Sequence, residues 1–205
     1  MELVNQKSAP IIDNSPDLTP KEEFDYFTRF LHAGLAVGGT LAWVTGELAG
    51  DYKKASHLGF TVHSWLGITV SLFLLLRIMY GFWGPSNVRF ADWCPCTRER
   101  LLAAWEDVQT LLRLQLPQRA SHDGLKGLIQ GFGLLVFSWQ ALTGSLLFNY
   151  LQPGAKARGV IHFIKEIHEI GNWLIPIFLG LHLTGTLLDA IWGEQKWRRM
   201  FFLQE

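Results

Sequence analysis

Polar and apolar residues fall into long blocks along this chain. Residues 1–26 are polar, carry Pro10, Pro16 and Pro20, and end in an acidic run at Glu22, Glu23 and Asp25. Four apolar segments follow, from about Phe27 to Leu48, His57 to Phe82, Leu125 to Tyr150 and Ile164 to Trp192. Each reaches the ~20 residues that a helix needs to cross a hydrocarbon core. Lipid admits only helices or closed barrels, and none of the segments alternates as a barrel strand does. The pattern predicts an all-α membrane protein, a four-transmembrane-helix bundle over residues 27–192. Polar tails flank it at 1–26, with no apolar stretch suited to a signal peptide, and at 193–205.

The connection between the second and third segments is long, about residues 84–124. Within it Leu101, Leu102, Trp105, Val108, Leu111 and Leu112 recur at helical spacing over Arg98 to Leu114. That stretch reads either as an amphipathic helix lying in the membrane interface or as a soluble helix packed under the bundle.

Composition sharpens this picture. Hydrophobic residues make up 49% of the 205 and charged residues only 18%, with a positive mean hydropathy of +0.16. A disordered chain is excluded. The 18 basic and 18 acidic residues cancel, which argues against nucleic acid as a partner. Nine tryptophans suit anchoring at a membrane interface.

The basic residues are unevenly divided between the two sides. One side, with both termini and the long connection, carries Lys7, Lys21, Arg29, Arg89, Arg98, Arg100, Arg113, Arg119, Lys126, Lys196, Arg198 and Arg199; the other carries Lys53, Lys54, Lys156, Arg158 and Lys165. The positive-inside rule then puts both termini of a multi-pass protein in the cytoplasm.

Seven histidines occur, and an ionisable residue inside a membrane helix points to function. His168 and His182 share the fourth segment, fourteen residues or about 21 Å apart and within roughly 40° of one face. His32 lies near the cytoplasmic start of the first segment, level with His182. His63 lies near the outer start of the second, level with His168. Two cross-bundle pairs result, stacked one above the other. Imidazole nitrogen ligates haem iron well, and facing helices commonly supply such ligands. The positions predict two bis-histidine haems b, with Gly34, Gly38, Gly39, Gly67, Gly131, Gly133, Gly171, Gly180 and Gly185 allowing close approach of a macrocycle or a neighbouring helix.

Arg77, fourteen residues after His63, falls beside the inner site, where it either pairs with propionates or snorkels to the headgroups. His57 and His162 each lie six residues before a ligand candidate and face elsewhere; with His122 they read as interfacial or solvated. Pro176 predicts a bend between His168 and His182. Cys94-Pro95-Cys96 matches neither a two-residue-spaced thiol pair nor a haem-attachment motif. On the reducing side of the membrane it reads as free thiols.

The residues so assembled resemble a known family. Lys165 precedes His168-Glu-Ile-Gly-Asn-Trp-Leu-Ile-Pro-Ile-Phe-Leu-Gly-Leu-His182. Arg29-Phe-Leu-His32 opens the first segment, and His63-Ser-Trp-Leu-Gly67 runs on to Arg77 and Gly84-Pro85. The third segment ends in Leu142-Thr143-Gly144. Over about residues 27–200 the chain resembles the prokaryotic cytochrome b561 family, which includes the b-type cytochrome subunit of nickel–iron hydrogenases. The membrane subunit of respiratory formate dehydrogenase has the same histidine plan. Val88-Arg-Phe-Ala-Asp92 is most similar to the hydrogenase-type branch.

The resemblance implies His63 with His168 on the outer haem iron and His32 with His182 on the inner one. It also implies electron exchange between an outer-face redox partner (a dehydrogenase, hydrogenase or c-type cytochrome) and membrane quinone. The first expectation is therefore an electron-transfer subunit of a respiratory chain. Glu47, Glu166 and Glu169 are available outside for proton movement. Some relatives oxidise superoxide and reduce quinone unaided, so a stand-alone superoxide–quinone oxidoreductase is the alternative. Lys53, Lys54, Lys156, Arg158 and Lys165 would draw in its anion. A haem-free transporter or structural bundle comes last.

Overall fold

The computed structural model describes residues 24–49, 58–86, 88–115, 117, 124–191, 198 and 200. Most of both predicted tails, together with His57, His122, Lys53 and Lys54, lies outside these residues. Regular structure among the described residues is entirely helical. The long helices are α1 (Tyr26–Ala49), α2 (Leu58–Trp83), α5 (Leu125–Tyr150) and α7 (Gly171–Ile191). Shorter ones are α3 (Phe90–Trp93), α4 (Arg98–Leu112) and α6 (Gly159–Glu169).

Among the described residues three stretches are long and apolar enough to cross a membrane: α2, α5 and the 33-residue run Gly159–Ile191 formed by α6 and α7. At 24 residues α1 is long enough, about 36 Å, but it is less apolar than the expectation of four equal spans assumed. Arg29, His32 and Glu47 lie within it. Packing runs from α1 onto α2, α2 onto α5, α5 onto α6 and α7, and α7 back to α1. The outward faces are apolar: Val37, Leu41 and Val44 on α1, Leu72 and Leu75 on α2, Leu135 and Leu142 on α5, and Leu183 and Leu187 on α7 are all exposed. Large contiguous apolar surface of this kind belongs in lipid. Several helix hydroxyls return to their own helix: Thr40 donates to the Ala36 carbonyl, Ser64 to Phe60, Thr69 to Trp65 and Ser71 to Gly67. They therefore present no unsatisfied donor to the bilayer.

The last apolar segment, expected as one helix with a bend at Pro176, is interrupted at Ile170, and Pro176 sits inside α7. Side chains of α5 replace the helical bonding there. Trp139 Nε1 donates to the Ile167 carbonyl at 3.0 Å and Gln140 Nε2 to the His168 carbonyl at 3.1 Å. Gly171 permits this, because a β-carbon there would collide with the Gln140 amide.

The connection after α2 folds back against the bundle. Val88 and Trp93 are buried, the Trp93 indole donating to the Val88 carbonyl at 3.0 Å, and Phe90 packs on Gly81. Thr97 caps α4 by accepting from the Arg100 amide. Along α4 the predicted amphipathicity resolves into two faces. Ala104 and Asp107 are buried toward α5, and the Asp107 carboxylate accepts from the Leu125 amide at 2.9 Å, capping α5. Leu101, Leu102, Trp105 and Leu112 remain exposed. α4 thus packs on α5 and keeps an uncovered apolar stripe.

Cys94 and Cys96, expected as free thiols, stand with their Sγ atoms against each other across Pro95, their Cα atoms 5.4 Å apart.

Candidate functional site

The four histidines singled out by depth meet in two pairs. His63 of α2 faces His168 of α6 with ring centres 6.1 Å apart, and His32 of α1 faces His182 of α7 with ring centres 6.2 Å apart. Two imidazoles ligating one metal from opposite sides, with metal–nitrogen bonds of about 2 Å, have ring centres roughly 6.3 Å apart. Both observed separations match that span.

The outer pair is fixed at its other nitrogens. His63 Nδ1 lies 2.8 Å from the Ala42 carbonyl oxygen. A carbonyl only accepts, so Nδ1 carries the proton and Nε2 keeps its lone pair. His168 Nδ1 lies 2.8 Å from Thr143 Oγ1, which in turn donates to the Trp139 carbonyl at 2.8 Å. Glycines bring each ring close to its support. A β-carbon at Gly46 would lie 3.5 Å from the His63 ring, and one at Gly144 only 3.1 Å from the His168 ring.

Between and above these rings lies a cavity of about 800 Å³, within the usual 300–1,000 Å³ of cofactor sites. Phe60, Ile68, Val70, Phe137 and Phe148 give it apolar walls; Lys156, Arg158, His162 and Lys165 line it toward the segment joining α5 to α6. Gly67, one turn after His63, faces open space in which an added β-carbon meets nothing within 4 Å. The cavity can therefore take a large, flat, mostly apolar group with an anionic edge.

The inner pair is held differently. Phe178 stacks on His182 with centroids 5.5 Å apart and planes 26° from parallel. It reaches that position over Gly133, where a β-carbon would collide with its ring. Two arginines lie at this end. Arg29, one turn before His32, is 3% exposed with its guanidinium over the Tyr26 ring. Arg77 packs against Phe90 and Trp93 at 5.8 and 6.0 Å, with Nη2 at 3.5 Å from the Val88 carbonyl. Its Nη1 is buried and has no hydrogen-bond partner among the described residues. A buried guanidinium nitrogen without an acceptor is costly, and its chemistry suits a carboxylate ligand.

Of the remaining candidates, His162 is exposed and lies 3.7 Å from Glu166. Gly34, Gly38 and Gly39 pack against Phe73, Val70 and Phe137, and Gly131 against Pro95. These glycines serve helix packing; Gly67, Gly180 and Gly185 face open space. Sequence reasoning missed Ala42, Gly46, Trp139 and Gln140. The carbonyl of Ala42 left no residue-type signal, whereas the spacing of Trp139, Gln140, Thr143 and Gly144 on one face of α5 is a signal that could have found them.

Fold and site together describe a helical membrane protein with two pairs of facing imidazoles. A model of the prokaryotic cytochrome b561 family matches residues 23–203, and the chain belongs to that family. Membership makes it a membrane b-type cytochrome, a haem-binding protein of electron transfer. Among curated proteins and among solved structures nothing matches the chain.

Proposed function

We propose that this chain is a di-haem b-type cytochrome that passes electrons between a redox partner at its outer face and the membrane quinone pool. The observation that carries this reading is the pair of imidazole separations, 6.1 and 6.2 Å. Two imidazoles alone are a poor site for a bare ion, which takes three or four protein ligands. They suffice for an iron whose equatorial positions are already filled. Bound haem supplies reversible one-electron chemistry at the iron.

The protein's own part is to bind, orient and shield. His63 and His168 would take the outer iron, and His32 and His182 the inner one. Ala42 and Thr143 hold the outer rings in the tautomer that leaves Nε2 free. Arg77 would meet the carboxylates of the inner group, which gives Nη1 the acceptor it lacks. On this reading α1 is the fourth crossing, both termini face the cytoplasm of a bacterial inner membrane, and the stripe on α4 rests in the interface.

The stand-alone superoxide–quinone oxidoreductase is less well supported. One of the groups meant to draw an anion, Lys165, is neutralised locally by Glu169. Purification of the full chain with its haem complement tests the proposal. A reduced b-type spectrum, two haems per chain and low-spin bis-histidine resonance signals are expected; a colourless protein or a single haem overturns it. Re-oxidation by a quinone analogue in membranes tests the quinone step, and absence of that re-oxidation removes it.

A further inference from the structure

We infer that Thr143 is a positioning residue for the outer haem site, fixing which nitrogen of His168 carries the proton and in which plane the ring stands. The inference rests on the reading of His168 as an axial ligand. Thr143 is 4% exposed, and its Oγ1 has two neighbours at 2.8 Å, the Trp139 carbonyl and His168 Nδ1. One hydroxyl proton serves one of them. The carbonyl cannot donate, so the arrangement that satisfies both contacts sends the hydroxyl proton to Trp139 and draws the Nδ1 proton of His168 onto Oγ1. Nε2 is then unprotonated and free to bind a metal.

The surroundings make this a built arrangement. Trp139 and Gln140 hold the backbone carbonyls of Ile167 and His168, and Gly144 lets the ring lie against α5. Residues 139, 140, 143 and 144 lie on one face of α5, so a single helix face fixes both the backbone and the ring of His168. α1 treats His63 in the same way through the Ala42 carbonyl and Gly46. The two acceptors differ in kind: a carbonyl oxygen for His63, a hydroxyl oxygen for His168. Only the latter can be removed by substitution.

An acceptor on the distal nitrogen strengthens a ligating imidazole as an electron donor and favours the oxidised metal. Removing it therefore raises the potential of that site. The test uses the full chain with both haems bound, comparing Thr143→Val and Thr143→Ser with the parent by potentiometric titration and by resonance spectra of the oxidised protein. His168→Ala identifies the outer component by its loss.

In T143V the outer component should shift to higher potential by up to about tenfold in its oxidised-to-reduced binding ratio, which is 59 mV for one electron. Its resonance signal should broaden or move, the inner component should stay, and T143S should restore both. Loss of the outer haem alone in T143V, with retention in T143S, supports the inference equally. Unchanged outer potential and signal in T143V, equal shifts of both components, or failure of T143S to restore would overturn it. Should T143V fail to accumulate, T143A is read by the same criteria, and failure of both with T143S intact but shifted also counts against it. A parent protein lacking bis-histidine signals would refute the ligand reading itself, a result visible before any variant is made.

Discussion

The outer and inner histidine pairs have the same ring separation and are built by different means. At the outer pair each ring lies on a glycine and is tied through Nδ1, His63 to the Ala42 carbonyl and His168 to Thr143. The space beside it opens toward lysines and an arginine at the α5–α6 connection. At the inner pair an aromatic ring supports the imidazole, Phe178 on His182, and two arginines, one buried and one with a buried, unpartnered nitrogen, supply the charge. If each pair holds a haem as proposed, the difference gives one bundle the means to set two like groups at unlike potentials. Axial ligands of the same type leave the tuning to hydrogen bonds, nearby charge and solvent access.

The sharpest way to separate the two sites is to remove one ligand from each. His168→Ala should cost the outer haem and leave the inner one, and His182→Ala the converse, each halving the haem-to-protein ratio. Loss of both haems in either variant would mean that the pairs are not independent sites. A subtler cut uses the glycines. Gly67→Leu projects into open cavity and meets no protein atom at its β-carbon, so it should expel the outer haem while the chain folds. Gly133→Leu drives Phe178 off His182 and should perturb the inner component first. Overpacking of this kind costs about 1–3 kcal/mol. Reversal of the two assignments, read by resonance spectra, would refute the placement of the cavity around the outer pair.

Much of this division was legible in the sequence. Depth along each apolar segment paired His63 with His168 and His32 with His182, and fourteen-residue spacing put Arg77 at the inner level. What escaped was whatever depends on a neighbouring helix. The interruption at Ile170 is made by Trp139 and Gln140 of α5. Pro176 pointed to a bend, but its lost backbone donor is accommodated inside α7. Ala42 acts through its backbone, which any residue type would offer. Thr143-Gly144 was noticed as a motif, yet its purpose appears only once His168 is seen against it. For α1, Arg29, His32 and Glu47 lower its apolarity below that of the other spans. The polar residues that place α1 at the candidate site thus also keep it from matching the apolar stretches of the other long helices.

Arg77 offers a smaller separation of the sites. Arg77→Gln keeps a hydrogen-bonding side chain and removes a cation, which disfavours the less positive, reduced inner site. Its potential should fall by an amount of order 1 kcal/mol at an effective dielectric of about 20, with the outer component unmoved. Equal and unshifted potentials at both sites would return Arg77 to a headgroup-facing role.

The smallest expected effect comes from acid at the inner end. Asp25 precedes α1, and its carboxylate accepts from the Thr28 amide at 2.9 Å and the Thr28 hydroxyl at 2.6 Å, one turn before His32 begins. Burial alone would push this carboxyl up from 3.8; the Thr28 hydroxyl and amide, with the Tyr80 hydroxyl, outweigh it and hold the carboxyl below that value. A carboxyl lowered on folding contributes stability that is present above the unfolded value and is lost as pH falls through the folded one. Below roughly pH 4 the start of α1 should loosen, and the inner component, which depends on His32, should weaken before the outer. Asp25→Asn should cost about 1 kcal/mol at neutral pH, the usual worth of a helix cap, and should flatten the acid limb of the inner component's thermal stability. Haem absorbance followed on heating between pH 3 and pH 7 reads both effects; parallel acid loss of the two components in the parent protein would show that the cap holds the whole bundle rather than its inner end.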